Sequence, residues 1–126
     1  MRLTAPYQVL RDNLREAIAI IDGWEEQASD GRANWVFTRD TGKVEGVAVL
    51  GMDEGAITLH LVECEARGSY TLESAFVMTP EPDGSTMVRT TSNKLGDQPA
   101  SDLRRFVNAS MEMELASISS GLELIG

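Results

Sequence analysis

The sequence predicts an α+β domain. It should have a curved antiparallel sheet of about six strands, two short N-terminal helices and a long C-terminal helix over the sheet. Three observations carry this. The first stretch of the chain has helical spacing. The middle is an unbroken run of β-rich segments split by tight turn signals. The last stretch, Pro99 to Ile125, reads as one long amphipathic helix.

Ala5 to Ile21 places Val9, Leu10, Leu14, Ala17, Ile18 and Ile21 at helical steps. Thr4 offers a cap and Pro6 suits a first turn. A break near Asn13 would divide the segment into two short helices, and Asp22-Gly23 ends it. Trp24 to Ala28 is a weak strand, followed by a turn at Ser29-Asp30-Gly31. Asn34 to Arg39 carries the β-rich run Trp35-Val36-Phe37. After Asp40-Thr41-Gly42, the run Val44 to Met52 is interrupted by Gly46 and Gly51. Glycine inside a strand signals a bulge, a bend or a close approach of backbone.

Asp53-Glu54-Gly55 turns the chain into Ala56 to Ala66. Ile57, Leu59 and Leu61 alternate with Thr58 and His60. Val62, Cys64 and Ala66 then continue in the other phase, which a bulge near Leu61 would explain. Arg67-Gly68 breaks the run. Ser69 to Thr79 puts Tyr70, Leu72, Phe76 and Met78 on one face. Pro80 to Ser85 is a hairpin connection, and Thr86 to Thr91 is its second strand. Asn93 to Gln98 is a loop before the final helix. Short strands and tight turns make the sheet antiparallel.

The final helix has a wide apolar arc. Leu103, Val107, Met111, Ile118, Leu122 and Ile125 lie on one flank, and Phe106, Met113 and Leu124 on the other. Ser110, Glu114, Ser117 and Gly121 run between them, where a packing helix should be most apolar. An unpaired buried carboxylate is costly, so an inward Glu114 needs a partner, water or a proton. Three readings stay open. The helix overhangs the sheet and Glu114 reaches water, or Glu114 anchors a ligand in a pocket, or the small residues form a dimer seam.

The candidate ligand pocket therefore has two walls. The sheet contributes Trp35, Phe37, Leu59, Tyr70, Leu72, Phe76 and Met78. The helix contributes Phe106, Ser110, Met111, Met113, Glu114 and Ser117, its methionines serving as adaptable packing.

The totals bound the function. A chain of 126 residues fits one domain, residues 1–126, with 42% apolar and 25% charged residues. The net charge is −9 and the basic residues are scattered. That argues against nucleic acid and against docking on anionic lipid. No apolar run is long enough to span a bilayer, and the first residues lack the core of a secretory signal, so a cytoplasmic location is expected. Cys64 is the single cysteine and reads as an inert buried thiol. With one histidine it makes no zinc site, and no metal or other cofactor is expected. His60 falls on the face opposite Ile57 and Leu59 and has no evident partner as a general base. Asp12, Glu16, Asp22, Glu25 and Glu26 read as a solvated acidic face. Asp40-Thr41-Gly42-Lys43 lacks the glycine-lysine pattern of a phosphate loop.

Thr4-Ala5-Pro6 with Val9-Leu10-Arg11-Asp12, the hairpin Phe76-Val77-Met78-Thr79-Pro80 to Asp83-Gly84-Ser85-Thr86, and Met111-Glu112-Met113-Glu114-Leu115 to Leu122-Glu123 follow a familiar order. Over nearly its whole length the chain resembles the START-like (SRPBCC, Bet v 1-type) helix-grip superfamily. Ile20-Ile21-Asp22-Gly23-Trp24-Glu25 and Gly42-Lys43-Val44-Glu45-Gly46 make it most similar in look to the carbon monoxide dehydrogenase G-like group. The resemblance implies a sheet gripping the long helix around an apolar cavity. It carries over no catalytic residue. The expected function is binding of an apolar or amphipathic, lipid-like small molecule, without catalysis. A small cyclase- or hydrolase-type enzyme using Glu114 or His60 is one alternative. The other is an accessory protein in an enzyme assembly or homodimer, acting through protein–protein contacts.

Overall fold

The computed structural model describes residues 2–21, 23–29, 34–65, 71–92 and 98–125. Its elements are β1 (Arg2–Leu3), α1 (Tyr7–Ala19), β2 (Glu25–Ser29), β3 (Asn34–Asp40), β4 (Val44–Asp53), β5 (Ala56–Glu65), β6 (Thr71–Pro80), β7 (Thr86–Ser92) and α2 (Gln98–Ile125). The strands form one sheet in the order β1-β7-β6-β5-β4-β3-β2, each antiparallel to its neighbours. The predicted turn at Asp30-Gly31, the break at Arg67-Gly68 and most of the loop from Asn93 lie outside the described residues.

One N-terminal helix stands where the sequence suggested two. α1 runs unbroken through 13 residues. Asn13 does not interrupt it, because its side-chain amide points away and donates to the Ser110 carbonyl of α2 at 3.1 Å. A polar side chain satisfied elsewhere does not compete for the helix backbone. Thr4 is not the cap either. Pro6 occupies the N-cap position in an extended conformation, and no side chain caps the helix. The Tyr7 N–H instead donates to the Gly84 carbonyl at 3.0 Å, in the β6–β7 hairpin. Gly84 turns that hairpin at φ 90°, a conformation costly for residues with a Cβ. The Thr86 hydroxyl donates to the Ala5 carbonyl at 2.9 Å, which fixes the strand-to-helix corner.

β5 differs from expectation in a way that decides the site. Its ladder with β4 runs without a shift from Val44↔Glu65 to Asp53↔Ala56, so there is no bulge near Leu61. Among the described residues, a register shift lies between Glu26 and Ala28 of β2. Strict alternation therefore holds, and Ile57, Leu59, Leu61 and Glu63 all face inward and are buried. Val62 and Cys64 face outward with Val47, lining a groove of about 310 Å³ on the far side of the sheet. At Gly46 and Gly51 the glycines admit close neighbours within a regular ladder rather than a bulge.

α1 and α2 pack against each other and cover the inner face. Leu10, Leu14 and Ile18 of α1 join Leu103, Phe106 and Val107 of α2 in a single core with Phe37, Leu50, Ile57, Leu59, Phe76 and Met78. Arg11 of α1 donates to the Asp53 carbonyl at 2.8 Å and ties the helix to the β4–β5 turn. No helix among the described residues is long and apolar enough to cross a membrane.

Candidate functional site

The inward faces of the central strands align in lateral rows. One row differs from the rest. Arg39 of β3 pairs with Gly46 of β4, Gly46 with Glu63 of β5, and Glu63 with Leu72 of β6. Two ionisable side chains and a glycine thus stand where neighbouring rows are mostly apolar. Alternation along β3 and β5 dictates this, because Arg39 and Glu63 share the parity of Phe37 and Leu61.

Gly46 is the empty place in the row, and the ring of Trp24 fills it. A Cβ at position 46 would come within 2.9 Å of Trp24 Cη2. Trp24 meets Phe106 of α2 edge-on, with ring centroids 6.2 Å apart. The Arg39 guanidinium lies 5.9 Å from the Trp24 ring centroid, at the outer limit of a cation–π contact. Gly46→Ala is expected to cost about 1–3 kcal/mol of stability, because the ring has nowhere to move. Urea unfolding measures this; an unchanged midpoint would show that Trp24 is not confined over position 46.

α2 completes the site. Asp102, near its N-terminal end, is buried, as is Glu63. The two carboxyl groups are hydrogen-bonded to each other. A bond between two carboxyls requires a proton, since neither ionised group can donate. Glu63 holds it. Burial first, then the hydrogen bond and charge of Asp102, push its carboxyl up to about 7, with Arg39 opposing. Arg39 Nη1 stands 3.8 Å from Glu63 Oε1, near enough for an ion pair but too far for a hydrogen bond. Arg39 Nε and Glu63 Oε1 are buried without a hydrogen-bond partner among the described residues.

This arrangement can do two things. It raises the affinity of Glu63 for a proton toward neutral pH. It also offers one donor, Arg39 Nε, and one acceptor, Glu63 Oε1, to a polar group that displaces the present packing. Among the described residues, no cluster of three or more His, Cys, Asp or Glu could hold a metal ion.

The residues predicted from the sequence are placed differently. Phe37, Leu59, Phe76, Met78 and Phe106 are brought together, closely packed in the core. Trp35 is half-buried under the Arg15 guanidinium, 5.1 Å from its ring centroid. Met111 and Met113 are half-buried and Ser117 is exposed. Tyr70 and the side chain of Leu72 lie outside the described residues.

The polar centre of α2 faces α1. The Ser110 hydroxyl donates to Phe106 O at 2.9 Å. Asn13 Nδ2 donates to Ser110 O, and more weakly, at 3.4 Å, to Glu114 Oε2. His60 lies on the outer face, with Nε2 2.9 Å from Glu73 Oε1.

Sequence reasoning missed Trp24, Arg39, Glu63 and Asp102 as a group. The signal was present in β5, where Ile57, Leu59, Leu61 and Glu63 keep one parity. Comparison with protein-family models, with curated proteins and with solved structures finds no match to this chain.

Proposed function

We propose that the chain is a helix-grip module of the START-like type that binds an apolar or amphipathic small molecule between the sheet and α2. The element order and the closure of β1 onto β7 agree with that architecture. One observation carries the binding reading: the carboxyls of Glu63 and Asp102 are buried, and beside Glu63 a half-buried Arg39 lies near the Trp24 ring. A purely structural core gains little from such a group, since apolar replacements of buried ion pairs are often as stable. A ligand wall needs a few polar groups in apolar surroundings. In this reading Arg39 Nε donates to the polar end of the ligand and Glu63 accepts from it.

Native mass spectrometry of the purified protein and displacement of anilinonaphthalene sulfonate by long-chain amphiphiles test this. The expected result is a displaceable probe, with Arg39→Ala weakening the displacing amphiphile about tenfold, the scale of one charged hydrogen bond. A native protein that takes up neither probe nor amphiphile overturns it.

A second reading, a small enzyme using acid–base chemistry, is favoured by the near-neutral Glu63 beside Asp102. Its chemistry would rest on that pair. His60 and Glu114 face elsewhere, the first toward Glu73 and the second toward Asn13.

A further inference from the structure

We propose that the outer face of the sheet is where a second copy of this chain packs, across a two-fold axis that sets Arg89 of each copy against the Glu45 corner of the other. Both helices lie on the inner face, so among the described residues no helix covers the outer one. An antiparallel sheet that leaves one face to water normally makes that face polar. Here Val36, Val49, Val62 and Ala75 alternate onto it and are partly exposed. Among the described residues of the sheet, Val47 at 40% and Val77 at 38% are the exposed large apolar side chains, and both are on this face. Its charges are segregated. The groove of about 310 Å³ toward one corner is lined by Val47, Val62 and Cys64 and by the acids Asp40 and Glu45. Those acids are ladder partners, side by side. Apolar walls with acids beside them fit a long cationic side chain with an apolar stem. Arg89 is such a side chain, exposed on the same face beside Val77, toward the opposite corner.

The register makes this face self-complementary. A two-fold axis lying between two sheets sets the same face of each against the other. Strands stand about 4.8 Å apart and residues rise about 3.3 Å along them. On that grid, the axis that lays Arg89 on Glu45 also lays Val47 on Val77 and Val62 on Ala75, in both directions. The strands of the two copies then cross at roughly 70°, nearer the orthogonal class of sheet packing than the aligned one. The axis runs along the His60–Glu73 pair, whose 2.9 Å contact engages the acid nearest the centre. From β3 to β7 the patch is roughly 20 Å on a side, so the two copies bury on the order of 1,000 Å² together, the small end of specific interfaces. Affinity is therefore moderate, and the charges at the two corners set the register of the pairing. This face is opposite the proposed ligand wall, so the dimer neither needs nor blocks a bound molecule.

Sedimentation velocity of the full chain from about 5 to about 500 μM tests this, in about 0.15 M salt, where repulsion between chains of net charge −9 is screened beyond about 8 Å. The expected result is a reversible monomer–dimer equilibrium with a dissociation constant of roughly 10–100 μM. Glu45→Arg and Arg89→Glu should each weaken the dimer at least about tenfold, because two-fold symmetry removes two pairs at once. Net charge works the other way in the first variant, which makes the chain less negative and would strengthen association if repulsion alone mattered. Glu45→Arg combined with Arg89→Glu re-forms the pair in reverse at the original net charge. It should return the constant to within about threefold of the starting value. Val77→Asp should abolish the dimer, and it carries the test if a charge variant does not fold. A chain that stays monomeric over the whole range overturns the proposal and leaves this face to a different partner. So does a dimer that Val77→Asp or either charge variant leaves intact, or a double variant as weak as the single ones.

Discussion

Trp24→Ala should lower the unfolding free energy by about 3–5 kcal/mol, the largest effect expected of any single truncation outside the apolar centre. Trp24 is 2% exposed. Its ring touches three elements at once: the bare backbone at Gly46, the edge of Phe106 and the Arg39 guanidinium. Removing it leaves a void that flat neighbours cannot refill, since Gly46 has no side chain to extend. It also uncovers Arg39 and Glu63 without giving them a partner. Because a domain of this size is stable by only about 5–15 kcal/mol, the variant should be close to unfolding at ambient temperature. Urea unfolding followed by circular dichroism reads the change. Trp35→Ala is the control. That ring is half-buried beside Arg15, so its loss should cost clearly less. A Trp24→Ala midpoint equal to that of Trp35→Ala would contradict the placement of Trp24.

Stability should fall as pH rises from about 4.5 to above 7, by an amount on the order of 3 kcal/mol. The sign follows from Glu63. Its carboxyl is pushed up to about 7 in the folded protein from an ordinary value of 4.5. The folded state therefore binds the proton more tightly than the unfolded chain. The stabilisation is complete below the unfolded value and disappears as pH passes the folded one. Glu26 and Asp83 act in the opposite sense, and in another window. Hydrogen bonding from Arg15 lowers the first, and hydrogen bonding from Ser85 lowers the second. Their contributions fade only as pH drops below the ordinary carboxylate range, and both are too exposed to weigh much. The urea midpoint should thus be highest on the acid side of neutrality. Glu63→Gln should remove most of the slope. The general repulsion in a chain of net charge −9, and the exposed His60–Glu73 pair, remain in the variant and cancel in the comparison. A midpoint that rises with pH in this window, or an equal slope in the variant, would count against the shared proton.

Much of the fold was legible because its signals are local. Gly42, Gly55 and Gly84 each turn a hairpin at positive φ, at the turns the sequence predicts. Strands β3 to β7 fall on the β-rich runs. The failures have one cause, tertiary partners that a local pattern does not contain. Asn13 looked like a helix breaker, yet its amide is spent on α2. The polar centre of α2 left an overhang into water, a cavity or a seam open, and Ser110 and Glu114 meet that same Asn13. Val62 and Cys64 looked like core because they are apolar, yet they lie on a sheet face whose valines are partly exposed, Val47 at 40% and Val77 at 38%. Reading them inward moved Glu63 outward and hid the acid pair. A one-residue slip exchanges every side chain of a strand between faces, so this single error concealed the site.

The missing cap of α1 has a consequence for how the chain reaches this structure. Its first N–H is satisfied by Gly84 O, and the corner before it by Thr86, 81 residues after Ala5. A short helix without a cap is marginal in water. On a growing chain the helix must therefore wait, frayed at its start, until nearly the whole sheet has been synthesised. This segment is thus completed only by partners much later in the chain, and reliance on distant contacts favours slow folding. Changes at the β6–β7 hairpin should therefore be felt first as slower completion of the N-terminal helix, far away along the chain.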